Sequence, residues 1–271
     1  MTSIELRARL RSADPVFGTL IVSPSPRWLD VIRGCGLDFV FIDTEHIALD
    51  RAELSWMCQS YTAIGLPPIV RIPSPDPYQA TMALDGGAAG VVAPYMETVA
   101  EVEALRGAIK LRPIKGKKLQ GLLAGEAAET DLQRFIDRGA EQRLFIVNIE
   151  SVPAIENLDD ILKAPDIDGL LIGPHDLSCS LGVPEQYDHP DFLAACETIF
   201  SKARAAGVGA GIHFWGDVEQ QTRFLRMGVN MLVHSADILL FQKHLSADLK
   251  AIRQAAGLSG GDAAAPQADA I

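Results

Sequence analysis

No run of eighteen apolar residues occurs in the 271-residue sequence, and near the amino terminus Arg7, Arg9 and Arg11 interleave with Leu6 and Leu10. Neither a membrane-spanning helix nor a secretion signal is expected from such patterning, and the chain reads as cytoplasmic. Positive charge is also scarce. Lys plus Arg is 24 against 35 Asp plus Glu, the net charge is −11, and the longest basic run is Lys115-Gly116-Lys117-Lys118. A surface that tracks nucleic-acid phosphates is not expected.

Cysteine is sparse as well. Cys35, Cys58, Cys179 and Cys196 form no C-x-x-C pair, which argues against a zinc ribbon or a disulfide framework, and their apolar surroundings predict buried thiols. P-loop and H-E-x-x-H motifs are missing, and Gly207-Val208-Gly209-Ala210-Gly211 has the wrong spacing for a dinucleotide loop. Gly257-Leu258-Ser259-Gly260-Gly261 has the spacing of a nucleophile elbow, but no strand precedes it and no helix follows.

What the chain does have is apolar residues, 48% of the total, with 22% charged, enough for a large core. Thr2-x-x-Glu5 can cap a short opening helix. Short apolar runs then alternate with helical patterns. The candidate strands are Gly18 to Val22, Asp38 to Asp43, Pro68 to Ile72, Gly90 to Pro94, Leu144 to Ile149, Gly169 to Ile172, Val208 to Ile212 and Asn230 to Val233. Between them, Ala52 to Tyr61, Pro77 to Leu84, Val99 to Lys110, Leu193 to Ala206 and Val218 to Met227 carry apolar residues every three to four positions. Strands so continuously apolar are covered on both faces, as in a parallel sheet, and eight of them predict an α/β fold of the (β/α)8 TIM-barrel type. One domain spanning 1–256 is expected, followed by a disordered tail over 257–271 that lacks apolar periodicity. The stretch from Pro113 to Asp137 is irregular and is expected to be an active-site loop.

In a parallel barrel the carboxyl ends of the strands converge on one mouth. Here Phe39-Val40-Phe41-Ile42 runs into Asp43-Thr44-Glu45-His46, Ile69-Val70 into Arg71, Phe145-Ile146-Val147 into Asn148-Ile149-Glu150, and Leu170-Leu171-Ile172 into Gly173-Pro174-His175-Asp176. Any one of these acids could simply cap the next helix. Carboxylates, an imidazole and a guanidinium on four strand ends point instead to chemistry. Carboxylates without Cys or paired His favour a hard divalent ion, Mg²⁺ or Mn²⁺ with Co²⁺ as a further candidate, which polarises a carbonyl and stabilises an enolate. No strand run contains a lysine, so Schiff-base chemistry is disfavoured. Asp85 ends a helix, where the dipole repels an anion, so its position invites a functional explanation as much as simple exposure. His213, Trp215 and His234 follow late strands and rank second as lining residues, while His189 and His244 read as surface residues.

The segments Gly36-Leu37-Asp38-Phe39 through Asp43-Thr44-Glu45-His46, Val70-Arg71, Leu84-Asp85-Gly86-Gly87, Ile149-Glu150 and Ile172-Gly173-Pro174-His175-Asp176-Leu177-Ser178 are similar to those of one family. From about Phe17 to Leu249 the chain resembles the HpcH/HpaI family of class II pyruvate aldolases. The resemblance implies a barrel assembled into hexamers through exchange of the last helix, with a metal held by Glu150 and Asp176. It further implies that His46 transfers protons through a metal-bound water, that Arg71 holds the ketone oxygen, and that the amides of His175 and Asp176 take the substrate carboxylate. Asp85 would reach the site of a neighbouring subunit. Three positions depart from the family pattern. The G-x-R-G-x-G loop reads Gly116-Lys117-Lys118-Leu119-Gln120-Gly121, the usual glutamine is Asn148, and the usual alanine is His175.

The expected function is reversible cleavage of a 4-hydroxy-2-oxo acid into pyruvate, or a close analogue, and an aldehyde. One rival uses the same enolate for a citrate-synthase-like condensation or for oxaloacetate decarboxylation. Another is a catalytically silent scaffold barrel, against which retention of all four chemical groups argues.

Overall fold

The eight apolar runs pair side by side in chain order. In the computed structural model, which describes residues 1–12 and 14–258, they close into a parallel barrel. The strands are β1 (Val16–Leu20), β2 (Phe39–Asp43), β3 (Pro68–Arg71), β4 (Gly90–Ala93), β5 (Leu144–Ile149), β6 (Gly169–Ile172), β7 (Gly209–Phe214) and β8 (Met231–Ala236). Two ends run past expectation. Phe214 pairs with His234 and His213 with Val233, so backbone pairing continues through polar side chains that had marked the strands as finished. At the other end of the barrel wall, β1 starts earlier than expected because Val16 already pairs with Met231.

The helices are α1 (Ser3–Arg11), α2 (Trp28–Arg33), α3 (Arg51–Ala63), α4 (Pro77–Asp85), α5 (Val99–Ile109), α6 (Gly116–Leu123), α7 (Thr130–Glu141), α8 (Val152–Glu156), α9 (Leu158–Ile161), α10 (Pro174–Ser180), α11 (Pro190–Ala205), α12 (Val218–Arg226) and α13 (Asp237–Ala255). The expected capping box at Thr2 and Glu5 opens α1, and Asp50, Thr98 and Asp217 open α3, α5 and α12 in the same way.

Alternation along β2 divides the core in two. Phe39 and Phe41 point into the barrel with Leu20, Ile69, Val92, Ile146, Leu171 and Val233, whereas Val40 and Ile42 pack outward under the helices. Gly18 makes room inside, since a Cβ there would stand 2.5 Å from the Phe39 ring. Leu6 and Leu10 of α1 belong to the interior cluster, so α1 stoppers the barrel at the amino-terminal ends of the strands.

That stopper is held by a clasp around Asp168, which is fully buried just ahead of β6. Its carboxylate accepts from Arg7 Nε at 2.6 Å, Arg11 Nη2 at 3.3 Å, Lys110 Nζ at 2.5 Å and the Phe145 amide at 2.9 Å. Lys110 is equally buried and also donates to the Arg143 and Ala140 carbonyls. Burial pulls its pKa down while Asp168 opposes the shift.

Two expectations are corrected. The stretch from Pro113 to Asp137 is not an active-site loop of this chain. It contains α6 and most of α7, with α6 packed on Gly107 of α5, and Lys110 ties the end of α7 to the amino-terminal side of β5 and β6. Only two cysteines, Cys58 and Cys196, are buried, and Cys35 and Cys179 are exposed, the first in the turn that follows α2 and the second near the end of the short helix α10. His189 and His244 lie at the surface as expected, and His189 Nδ1 accepts from the Asp191 amide to cap α11. Of the expected tail, residues 259–271 lie outside the described residues.

Removing one partner of a buried ion pair strands the other charge without a counter-ion. Asp168→Ala is therefore expected to lower the unfolding free energy by about 3–5 kcal/mol, measured by urea denaturation. A loss within error would show that Lys110 finds another counter-charge.

Candidate active site

The register of β2 and β3 sets Asp43 directly opposite Arg71. Arg71 donates through Nε at 2.8 Å and Nη2 at 2.6 Å to the two oxygens of Asp43, a planar two-pronged pair. Burial alone would raise the Asp43 pKa, but the guanidinium overrides it and holds the carboxyl below the usual range. Burial likewise opposes the Arg71 charge, and Asp43 with Glu45 more than restores it. The Phe41 ring lies under the guanidinium, 5.9 Å from its carbon. Glu45 Oε2 is 3.2 Å from Arg71 Nε, yet it is buried without a hydrogen-bond partner of proper geometry.

Glu150 follows β5. It does not cap a helix, because Ser151 caps α8 instead. Its Oε1 accepts from the Tyr95 amide at 2.7 Å, and its Oε2 from the Asn148 side-chain amide. The Tyr95 backbone adopts a left-handed φ of 55°. Burial, reinforced by repulsion from Asp176, pushes the Glu150 pKa up to about 7 against the opposing Tyr95 amide. Gly173 is part of this cradle, since a Cβ there would stand 2.7 Å from Glu150 Oε2 and 3.3 Å from Asn148 Nδ2.

At the end of β6, Gly173 and Pro174 open α10 and bring Asp176 into its first turn. The amides of His175 and Asp176 fall among the helix-start donors that have no carbonyl one turn earlier. His46, Arg71, Asn148, His175 and Asp176 line one cavity of about 240 Å³ together with Phe41, Ile172, His213 and Trp215. His46 stands with its Nε2 3.8 Å from Glu45 Oε1. Glu150 adjoins this cavity through Asn148. Asp85 does not enter it. It ends α4 outside the barrel wall, its side chain is 58% exposed, it pairs with Arg112, and it lines a separate groove between α3 and α4.

Sequence reasoning passed over three residues. Asp43 and Glu45 were seen at a strand end but given no role, although they fix and surround Arg71. Tyr95 lies beyond a strand end with no signature in the sequence pattern, and its left-handed backbone and a phenol whose pKa Glu45 pushes up single it out in the fold. His213 proves to line the cavity, as does Trp215, whereas His234 turns outward to Gln221.

The arrangement is rich in acceptors and short of donors. Buried Glu45 Oε2 and Asn148 Oδ1 have no hydrogen-bond partner, and Glu150 and Asp176 repel each other. A hard cation would offset that excess. Among the described residues no three His, Cys, Asp or Glu converge to hold an ion on their own. Two carboxylates would leave positions open for a further ligand in the cavity that Arg71 also lines.

A family model described as HpcH/HpaI aldolase/citrate lyase matches residues 17–243. The chain belongs to that family. Among its HpcH/HpaI relatives, the hydroxypyruvate/pyruvate aldolase of Paraburkholderia phytofirmans is 30% identical over 92% of this chain and 95% of its own length. The 2-keto-3-deoxy-L-rhamnonate aldolase of Salmonella gallinarum is 27% identical over 92% of this chain and 93% of its own. Among solved structures, the citrate synthase SbnG is 27% identical, covers 93% of this chain and 98% of its own, and superposes with a TM-score of 0.79.

Overpacking a filled site costs about 1–3 kcal/mol. Gly173→Ala is expected to lose that much stability in chemical denaturation, because its methyl must displace the Glu150 carboxylate. Unchanged stability would mean that Glu150 moves aside freely.

Proposed function

We propose that this HpcH/HpaI-family protein is a divalent-metal-dependent carbon–carbon lyase that reversibly cleaves a 4-hydroxy-2-oxo acid into pyruvate, or a close analogue, and an aldehyde. The observation that carries this reading is the cavity itself. A guanidinium locked in place by Asp43 lines it with Asn148, His175 and Asp176, beside a Glu150 whose pKa burial, reinforced by repulsion from Asp176, pushes up to about 7. A hydroxypyruvate/pyruvate aldolase and a 2-keto-3-deoxy-L-rhamnonate aldolase among the relatives support it.

Glu150 and Asp176 are the residues that would hold Mg²⁺, Mn²⁺ or Co²⁺. When bound, such an ion supplies a Lewis acid that polarises the substrate ketone and offsets the charge of the enolate. Arg71 spends Nε and Nη2 on Asp43, leaving Nη1 to donate to the ketone oxygen, where negative charge grows as the carbon–carbon bond breaks. The helix-start amides of His175 and Asp176 donate to the substrate carboxylate and fix its orientation. His46 lines the cavity and takes the proton from the 4-hydroxyl as the aldehyde forms, returning it in the synthetic direction.

Asp85 would act in a neighbouring subunit, within a homo-oligomer for which a hexamer is the leading candidate. Exposed Phe241, Leu245, Leu249 and Ile252 on α13 suit a subunit interface. No helix among the described residues is long and apolar enough to cross a membrane.

A second reading keeps the same enolate and condenses it with a 2-oxo acid or forms it by decarboxylating oxaloacetate. The likeness to SbnG and the substitutions at Asn148 and His175 favour testing it.

Purified protein given pyruvate, an aldehyde panel and Mn²⁺ should form adducts that disappear with chelator, and Glu150→Ala should abolish turnover. Chelator-resistant turnover would reject metal dependence, and mass spectrometry of products from oxaloacetate would identify the second reading.

Cation binding should also depend on pH. Glu150 is an acid with a raised pKa, so protonation favours the metal-free fold below the ordinary value of 4.5, and that contribution disappears as pH rises through about 7. Cation affinity should climb over the same window, because only the carboxylate binds. Calorimetric titration with Mn²⁺ should show tighter binding at pH 8 than at pH 6, with more protons released at pH 6. Equal affinity and no proton release would show that Glu150 is not a ligand.

A further inference from the structure

His213 stands on the cavity wall beside Arg71, and the mechanism above gives it no task. Its ring is held from three sides. Phe41 meets it edge-on at 5.4 Å, Trp215 at 5.8 Å, and Nε2 lies 3.1 Å from the Ser235 carbonyl. A carbonyl can only accept, so Nε2 carries the proton and Nδ1 offers a lone pair.

The backbone of β8 is shaped to make that contact. Gly18 pairs with Val233 and Leu20 with Ala236, so His234 and Ser235 together stand opposite Thr19, which makes a bulge. Within the bulge Ser235 adopts a left-handed φ of 55°. Among the described residues Nδ1 makes no hydrogen bond, yet it is not one of the sealed, unpartnered atoms. The cavity is what reaches it. Burial, with Arg71 adding to it, holds the imidazole pKa down to about 4, so the ring is neutral at physiological pH.

A neutral acceptor attracts a donor and offers nothing to an anion. Arg71 is the cavity's fixed cation, and Asp43 already engages it. Nδ1 therefore suits a substrate hydroxyl, whereas a methyl in the same place would leave it unsatisfied.

We propose that His213 is a specificity-determining residue that accepts a hydrogen bond from a hydroxyl on the carbon next to the reacting carbonyl. This inference rests on the aldolase reading. The hydroxyl has two sources, carbon 3 of the 2-oxo acid, as in hydroxypyruvate, or carbon 2 of the aldehyde, as in glycolaldehyde.

The test uses the full chain with Mn²⁺ and four reactant pairs, pyruvate or hydroxypyruvate with acetaldehyde or glycolaldehyde. Two selectivities are read as kcat/KM ratios, hydroxypyruvate over pyruvate and glycolaldehyde over acetaldehyde. One neutral hydrogen bond is worth about tenfold, so the unmodified protein should favour the hydroxylated reactant by that much in at least one arm, and the arm identifies the source. His213→Leu should bring that ratio to near one, while His213→Gln, which keeps an acceptor, should retain part of it. A flat ratio in both arms for the unmodified protein, or ratios that survive His213→Leu, would overturn the proposal. Exchange of pyruvate methyl protons in D₂O needs no aldehyde and reports enolate formation alone. Exchange with flat ratios would sink the role of His213 only. No exchange in the unmodified protein would sink the aldolase reading and this inference with it.

Discussion

The site depends on one pairing across adjacent strands, Asp43 with Arg71. A guanidinium on a long side chain is ordinarily mobile and expensive to bury. Here the register of β2 and β3 supplies a carboxylate that meets it with two parallel bonds, and the Phe41 ring supports it from beneath. The side chain is thereby fixed before any ligand arrives, which is the condition for electrostatic stabilisation of a developing oxyanion without reorganisation at the moment of reaction. The same pairing consumes two of the guanidinium nitrogens, so what Arg71 presents to the cavity is directional as well as charged.

Around this fixed cation the protein has gathered more acceptors than it can satisfy. Glu45, Glu150, Asp176 and the Asn148 carbonyl oxygen all lie near the mouth, and burial, with repulsion from Asp176 and Glu45 adding to it, raises the Glu150 pKa. Two observations show that the crowding is built in. Tyr95 adopts a left-handed backbone while its amide serves Glu150, and Gly173 leaves space that any side chain would fill. A bound hard cation would offset that excess of acceptors.

Much of the barrel was legible because strands buried on both faces are almost uninterrupted in apolar residues, as Leu144 to Val147 and Gly169 to Ile172 illustrate. Strand ends were harder to read. His213 and His234 look like terminators, yet their backbones continue the ladder. Helices α6 and α7 were missed because glycines at 116, 121 and 125 and a polar stretch between them break the apolar rhythm. Within the site, the rule that chemistry collects at strand carboxyl ends located His46, Arg71, Asn148, His175 and Asp176. It could not show that Asp43 spends itself on Arg71, which depends on register, or that Tyr95 contributes a main-chain donor, which any residue type could supply. Asp85 was noticed for its awkward place at a helix end, but the folded chain leaves it on the outer surface, paired with Arg112.

The clasp around Asp168 lies at the opposite end of the strands from the mouth. The ionic clasp thus sits at one pole of the cylinder and the candidate site at the other, joined by staves that are apolar through most of their length. Segments that follow β6 and β7 can be rewritten to fit other substrates while the ionic knot under the barrel keeps its grip, so the architecture offers a chassis for engineering in which recognition is exchanged without rebuilding the frame.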